Sequence, residues 1–142
     1  MTITRNTMTA ALTVFAMTGF SMTAANASTL TPLPKETHIN QSLMSGVVAD
    51  QIRKTCPSIS ARMFVAWRKL NGLKSYALNK GYKEPVVRAF LKNPTEKARV
   101  KAMAAEYLKS HGAVAGNTES YCAVGREEIA KKSLIGQMLR AR

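Results

Sequence analysis

Residues 41–57 read QSLMSGVVADQIRKTCP, and this stretch decides the kind of fold that the chain can form. Its apolar residues recur at helical spacing and share one face: Leu43, Val47, Val48 and Ile52. Pro57 ends the helix, because proline lacks an amide donor and disfavours helical geometry in the residue before it. We therefore predict an amphipathic first helix over residues 41–54, with Cys56 continuing its buried face.

Downstream of Pro57 the helical period continues, and no segment alternates as a strand would. Four further helices are marked by residues that favour helix starts and ends: Ser58 or Ser60, Gly81, Pro85, Pro94, Gly112, Thr118, and a break near Ser133. On the second helix, one apolar face is expected to be core: Ile59, Met63, Ala66, Trp67, Leu70, Leu73 and Ala77. We predict an all-α fold, an irregular bundle of about five helices over residues 41–142.

The first 27 residues have the pattern of a cleavable signal peptide. Residues 8–22 are apolar with interspersed Thr, and Ala25-Asn26-Ala27 supplies the small residues that a signal peptidase requires. The apolar run is too short to span a bilayer, and no second run follows, so we expect no transmembrane segment in the mature chain. We predict cleavage between Ala27 and Ser28 and a periplasmic location. The alternative is a buried N-terminal helix.

Export changes the interpretation of the remaining segments. Residues 28–40 contain two prolines and no apolar period, which predicts an irregular arm. Cys56 and Cys122 are the only cysteines, and two thiols in an oxidising compartment favour a disulfide. The bridge would close a loop of about 67 residues and stabilise the fold by about 4 kcal/mol. The alternative, a redox or metal-binding thiol pair, lacks the Cys-x-x-Cys spacing or nearby His partners.

Two cysteine-containing blocks resemble a known family. They are Asp50-Gln51-Ile52-Arg53-Lys54-Thr55-Cys56-Pro57-Ser58-Ile59-Ser60-Ala61-Arg62 and Glu119-Ser120-Tyr121-Cys122-Ala123-Val124-Gly125-Arg126-Glu127-Glu128-Ile129. Together with Ala105-Glu106-Tyr107-Leu108, they resemble the small exported bacterial proteins called domain of unknown function 5333. The resemblance covers nearly all of the mature chain. It implies a single exported helical domain, and it transfers no catalytic residue.

The charge is strongly segregated along the chain. The net charge is +13, and residues 53–101 hold thirteen Lys and Arg against two acids. Arg88 with Lys92, and Lys97 with Lys101, place like charges four residues apart on a helix face, which costs about 0.2–0.5 kcal/mol per pair. We predict that these four residues form a surface for an anionic envelope component or an acidic protein. The alternative is that the charge only keeps the protein in solution.

Nucleic acid is not favoured as the partner. Export separates the chain from most nucleic acid, and no aromatic platform alternates with the basic residues. The aromatic residues of the basic segment have spacings that indicate core instead: Trp67, Tyr76, Tyr82 and Phe90.

Residues that could perform catalysis are few. His38 lies in the arm, and His111 precedes Gly112, where an imidazolium would interact well with the helix dipole. Several acids are spaced as helix-surface pairs: Glu84 with Arg88, Glu127 with Lys131, and Glu128 with Lys132. Phosphate-binding loops, nucleophile elbows and metal-binding His pairs are absent from the sequence. We predict no catalytic residue, no metal site and no cofactor.

The first functional hypothesis is thus a non-enzymatic interaction or accessory protein with a basic surface. A second hypothesis is a periplasmic stress chaperone of the small helical disulfide type, although only eight acids are available to sense low pH. An enzyme of unrecognised type is the third.

Overall fold

The computed structural model describes residues 29–142, so the predicted signal peptide and its cleavage site lie outside the described residues. The elements follow one another in this order: a 3₁₀ turn Leu33–Lys35, α1 Thr37–Thr55, β1 Ile59–Ala61, α2 Met63–Asn79, α3 Glu84–Lys92, α4 Pro94–Ser110, α5 Thr118–Lys131, α6 Leu134–Gln137 and β2 Leu139–Ala141. The prediction of a helical fold with about five main helices is confirmed. Across these 114 residues no helix has the length and apolarity needed to cross a membrane.

The first helix begins at Thr37, so the prediction of an irregular arm is wrong for residues 37–40. The Glu36 carboxylate caps the helix by accepting a hydrogen bond from the Ile39 amide at 2.6 Å. The Asn40 side chain donates to the Leu33 carbonyl oxygen at 2.8 Å and fastens the 3₁₀ turn onto the helix. Polar capping groups set this start, and a search for apolar periodicity does not detect them.

The residues after Pro57 form a strand before the second helix begins. Ile59 was expected on the second helix but lies in β1, which pairs with β2 in antiparallel register, Ser60 opposite Arg140. The prediction that Ser58 or Ser60 caps the second helix is wrong, because α2 begins at Met63 with Arg62 as its N-cap residue. The strand partner lies about 80 residues away in the sequence, so local spacing could not show the pairing.

The buried apolar residues form two clusters. The first core cluster joins α1, α4, α5, α6 and both strands: Val48, Ala49, Ile52, Cys56, Ile59, Ala104, Leu108, Ala113, Cys122, Val124, Ile135, Met138 and Leu139. The second core cluster joins the arm, α1, α2 and α3: Leu33, Ile39, Ala77, Tyr82, Val87 and Phe90. The predicted disulfide between Cys56 and Cys122 is confirmed and lies within the first core cluster. It ties the end of α1 to the first turns of α5.

The corner between α5 and α6 departs from the prediction at one residue. The helix breaks near Ser133 as predicted, and the Ser133 hydroxyl caps α6 by accepting from the Gly136 amide at 3.0 Å. Glu128 was expected to pair with Lys132 in solvent, but this prediction is wrong because its side chain is buried in the fold. Its carboxylate accepts hydrogen bonds from the hydroxyls of Tyr107 and Ser133 instead.

Candidate functional site

Arg88 and Lys92 lie one turn apart on the exposed side of α3. The Arg88 guanidinium lies 2.8 Å from the Glu84 carboxylate, as the spacing predicted, and the Lys74 ammonium lies 2.9 Å from the same group. Hydrogen bonds from Lys74 and Arg88 hold the pKa of Glu84 below its ordinary value. Glu84 therefore offsets part of the charge of Arg88, whereas Lys92 forms no ion pair with any acid in residues 29–142.

Lys97 and Lys101 lie one turn apart on α4, and both are exposed. Among the described residues neither forms an ion pair, and the neighbouring Glu96 bonds to the Arg99 guanidinium at 2.8 Å. The two lysines border a groove of about 140 Å³, here named the lysine groove, whose other walls are mainly apolar: Leu43, Val47, Phe90, Leu91, Glu96 and Val100. An anionic group with an apolar attachment could bind at this edge.

The structure does not gather the four predicted residues into one pocket. Arg88 and Lys92 border a separate shallow depression with Glu84, and neither lines the lysine groove. The Asn93 side chain caps α4 at the Thr95 amide and sets the turn between the two pairs. The surface therefore consists of two cationic pairs on consecutive helices.

The N-terminal half of α2 presents an apolar face that the helical period of the sequence predicts to be part of the core. The exposed fractions of Met63, Phe64, Trp67 and Leu70 are 64%, 68%, 60% and 50%. We name these four residues the α2 face. The prediction that Met63, Trp67 and Leu70 are core is wrong.

The residues of α2 that pack onto the body lie at the edge of the α2 face or further along the helix. Ala77 is buried, and Ala66 and Leu73 are partly buried against the two clusters. Leu70 and Ala77 are seven residues apart and share one face, so the body covers that face near Ala77 and leaves it open near Leu70. The apolar pattern of the sequence does not distinguish the covered end of this face from the open end.

A wide groove runs beside the α2 face. This α1–α2 groove has a volume of about 590 Å³, and its walls come from three helices and the residue after α6: His38, Ser42, Leu43, Gly46, Met63, Ala66, Trp67, Arg68, Lys69, Leu70, Gly72, Leu73, Leu134 and Met138. Leu43 also lines the lysine groove. The α2 face and the lysines of α4 therefore flank the same part of α1.

Cations accompany the α2 face. The Phe64 and Trp67 rings stack with centroids 6.1 Å apart, and the Arg68 guanidinium lies 5.3 Å from the Phe64 centroid. Lys69 lines the α1–α2 groove, and α2 contains no acidic residue. This surface combines aromatic rings with uncompensated positive charge.

The titratable side chains that could perform acid–base chemistry make contacts within the fold. Burial and the hydrogen bond to Glu128 raise the pKa of Tyr107 to about 12, and Glu128 itself is only 2% exposed. The His111 ring ends α4 and stacks on Tyr107 with centroids 3.9 Å apart, while His38 lies 4.4 Å from the Tyr76 ring. Within residues 29–142 no three metal-ligating side chains gather in a cluster. These contacts position helices.

Comparison with known proteins gives one match. The model of a family described as "Family of unknown function (DUF5333)" matches residues 31–140, a range that includes both cysteines and all six helices. No curated protein matches the chain, and no solved structure does.

Proposed function

The chain belongs to the family of unknown function DUF5333, and we propose that it is an exported, non-enzymatic protein that binds an anionic component of the cell envelope. The charge pattern of α2, α3 and the start of α4 carries this proposal. Of the thirteen cations in residues 53–101, seven form no ion pair with any described acid: Arg62, Arg68, Lys69, Lys83, Lys92, Lys97 and Lys101. Free cations in such density attract anions over a Debye length of about 8–10 Å.

Two observations support the proposed location and mode of action. Disulfides form and persist in oxidising compartments, and the Cys56–Cys122 bridge is buried within the first core cluster. The cations lie on the outside of helices rather than around a deep polar cavity, which is the arrangement of a binding surface. The same cations would also attract an acidic surface of another protein, and binding to such a protein is one outcome of the test below.

The test is charge reversal of the four predicted residues: Arg88→Glu, Lys92→Glu, Lys97→Glu and Lys101→Glu. A matched control reverses four cations outside residues 53–101: Lys35→Glu, Lys109→Glu, Lys132→Glu and Arg142→Glu. The purified, oxidised protein is titrated with washed envelope membranes at low and high salt. Each cation near an anionic membrane contributes about 1 kcal/mol, so the first variant should bind at least about tenfold more weakly and the control much less so.

Two results contradict the proposal. One is envelope association that does not change between low and high salt. The other is equal weakening by the two quadruple variants, which would show that total charge matters and the location of the charge does not.

A second candidate function is a stress chaperone of the small helical disulfide type. The exposure of the α2 face favours it, because contiguous exposed apolar residues on a single helix are typical of sites that bind other molecules. Such a chaperone would suppress the light scattering of a denatured model client at low pH. Phe64→Ser with Leu70→Ser should abolish that suppression, whereas the charge-reversal variant should retain it.

A further inference from the structure

The exposed apolar residues of this protein are concentrated on one short stretch of helix. Seven large apolar residues among the described ones are exposed: Leu30, Met63, Phe64, Trp67, Leu70, Val86 and Val114. Four of the seven are the α2 face, within eight consecutive residues. Single exposed apolar residues are ordinary on a protein surface, but a contiguous group of this size indicates contact with another apolar phase or surface.

The geometry of the α2 face fits the boundary region of a lipid bilayer. Met63, Trp67 and Leu70 are spaced four and three residues apart, so they form one stripe along the helix. Phe64 lies beside this stripe, stacked on Trp67. Aromatic and long apolar side chains in this arrangement bury their rings and chains at the level of the lipid head groups, about 5–10 Å deep.

The positive charge around the α2 face determines which lipid head groups this face would attract. Arg62 and Arg68 flank it, Lys69 lines the α1–α2 groove, and α2 itself carries no acid. Lys97 and Lys101 lie across Leu43 on the neighbouring helix. A surface with this charge binds anionic head groups, and it disfavours a second copy of the chain because two cationic faces would repel each other.

We propose that α2 is a membrane-surface helix, whose α2 face enters an anionic lipid surface while Arg68 and Lys69 bind the lipid phosphates. This inference rests on the proposed function, since it names anionic lipid as the envelope component. The lysines of α4 add to the attraction from the other side of α1. The disulfide-bonded body of the protein remains outside the bilayer.

The chain contains a single tryptophan, Trp67, which makes the inference directly testable. The purified, oxidised protein is mixed with vesicles of phosphatidylcholine alone, or of phosphatidylcholine with phosphatidylglycerol. With the anionic vesicles at low salt, the Trp67 emission should shift to shorter wavelength and be quenched by brominated acyl chains. Phosphatidylcholine alone should produce neither change.

Two variant pairs keep Trp67 as the probe and separate the two parts of the surface. Phe64→Ser with Leu70→Ser should weaken vesicle binding at least about tenfold through lost apolar burial. Arg68→Gln with Lys69→Gln should weaken it by a similar factor at low salt. The matched control is Val86→Ser with Val114→Ser, which removes two equally exposed apolar residues elsewhere and should bind as the wild type does.

Each contrary outcome overturns the inference and bears differently on the proposed function. Vesicle binding without a change in Trp67 emission would mean that charge alone holds the protein, and the proposed function would survive. Salt-dependent binding to envelope membranes but not to anionic vesicles would point to a polymer or an acidic protein. A concentration-dependent emission shift without vesicles, with dimers in sedimentation, would assign the α2 face to a second copy. Circular dichroism confirms that each variant is folded before it is titrated.

Discussion

The two sides of the molecule differ in how much space surrounds their glycines. Beside Ile135 of the first core cluster, a Cβ on Gly136 would lie 1.9 Å from the Glu128 carbonyl oxygen, so the backbones of α5 and α6 touch. Gly46 and Gly72 both line the α1–α2 groove, and a Cβ on either would meet no atom within 4 Å. The packing is therefore tight on the side of the disulfide, whereas open space remains beside α2.

The two sides also differ in the contacts that hold them. The first core cluster combines a covalent bridge with close apolar packing. On the α2 side polar contacts contribute strongly: the Tyr76 hydroxyl donates to Glu36 at 2.9 Å, and Lys80 lies 3.8 Å from the same carboxylate. From this contrast we expect stability and binding to depend on different regions of the protein. Changes in the first core cluster should alter stability, whereas changes on the α2 face should alter binding.

The largest expected effect comes from breaking the disulfide. Replacing Cys56 and Cys122 together by Ala should lower the free energy of unfolding by about 4 kcal/mol, because the unfolded chain regains the entropy that the long loop had removed. Urea denaturation monitored by circular dichroism measures it. A reductant should destabilise the wild type similarly and leave the double variant unaffected. Equal urea midpoints for wild type and variant would contradict the prediction.

Next in size is the effect of filling the contact at Gly136. Gly136→Ala should cost about 3 kcal/mol, since a backbone carbonyl oxygen occupies the place of the new Cβ and the two helices have to separate. Gly125→Ala should cost less, because the neighbours there are side-chain carbons of Ile59 and Ile52, which can shift. Thermal unfolding ranks the two variants, and the opposite ranking would show that the close contact between α5 and α6 does not exist.

Lowering the pH tests how much the contacts of Glu36 stabilise the α2 side. Burial opposes the charge of Glu36, but the Ile39 amide, the Tyr76 hydroxyl and Lys80 outweigh it, so the pKa of Glu36 is lowered from 4.5. A lowered pKa means that the stabilisation is complete above about pH 4.5 and is lost as the pH falls through the folded-state value.

The corresponding measurement is amide hydrogen exchange on acidification. In the wild type, the protection factors of the α2 amides should decrease when the pH is lowered below about 4.5. This decrease should be smaller in Glu36→Gln, because the glutamine side chain does not titrate. The variant should already be less protected at neutral pH. An identical acid response in the two proteins would show that Glu36 does not hold the α2 side.

The smallest expected effect is at Gly46. Gly46→Ala should raise the free energy of unfolding by about 0.5–1 kcal/mol, because Ala favours the helix and the new methyl group meets open space. Gly112 is the matched control, since it too has open space but a φ of 90° that disfavours a side chain. Gly112→Ala should therefore be destabilising. A loss of stability at Gly46 would indicate that the α1–α2 groove is narrower than described.

The number of main helices, the ends of α1 and α2 and the start of α4 could be predicted from the sequence, because their signals are local. Gly81 closes α2 with a φ of 102° and is followed by the buried Tyr82 ring, and Asn93 with Pro94 starts α4. The strand pair could not be predicted, since Ile59 meets its partner only in the folded chain. Glu128 could not be placed either, because its burial depends on hydroxyls from two other segments.

The candidate surface was only half predictable. Lys97 and Lys101 follow from charge spacing along one helix, and both are exposed as expected. Trp67 was assigned to the core because periodicity shows which residues share a helix face but not whether another element covers that face. Whether α1 and α6 reach across the α1–α2 groove is decided by the lengths and angles of packed helices, which the local pattern does not contain.

The pairing of β1 with β2 has a consequence for how the protein matures. Residues 59–61 leave the ribosome long before residues 139–141, so β1 has no strand partner until β2 has also emerged. Cys122 precedes β2 in the chain, so the two cysteines can approach each other before the two strands have paired. Vectorial synthesis thus favours an order in which Cys56 and Cys122 join before β1 pairs with β2.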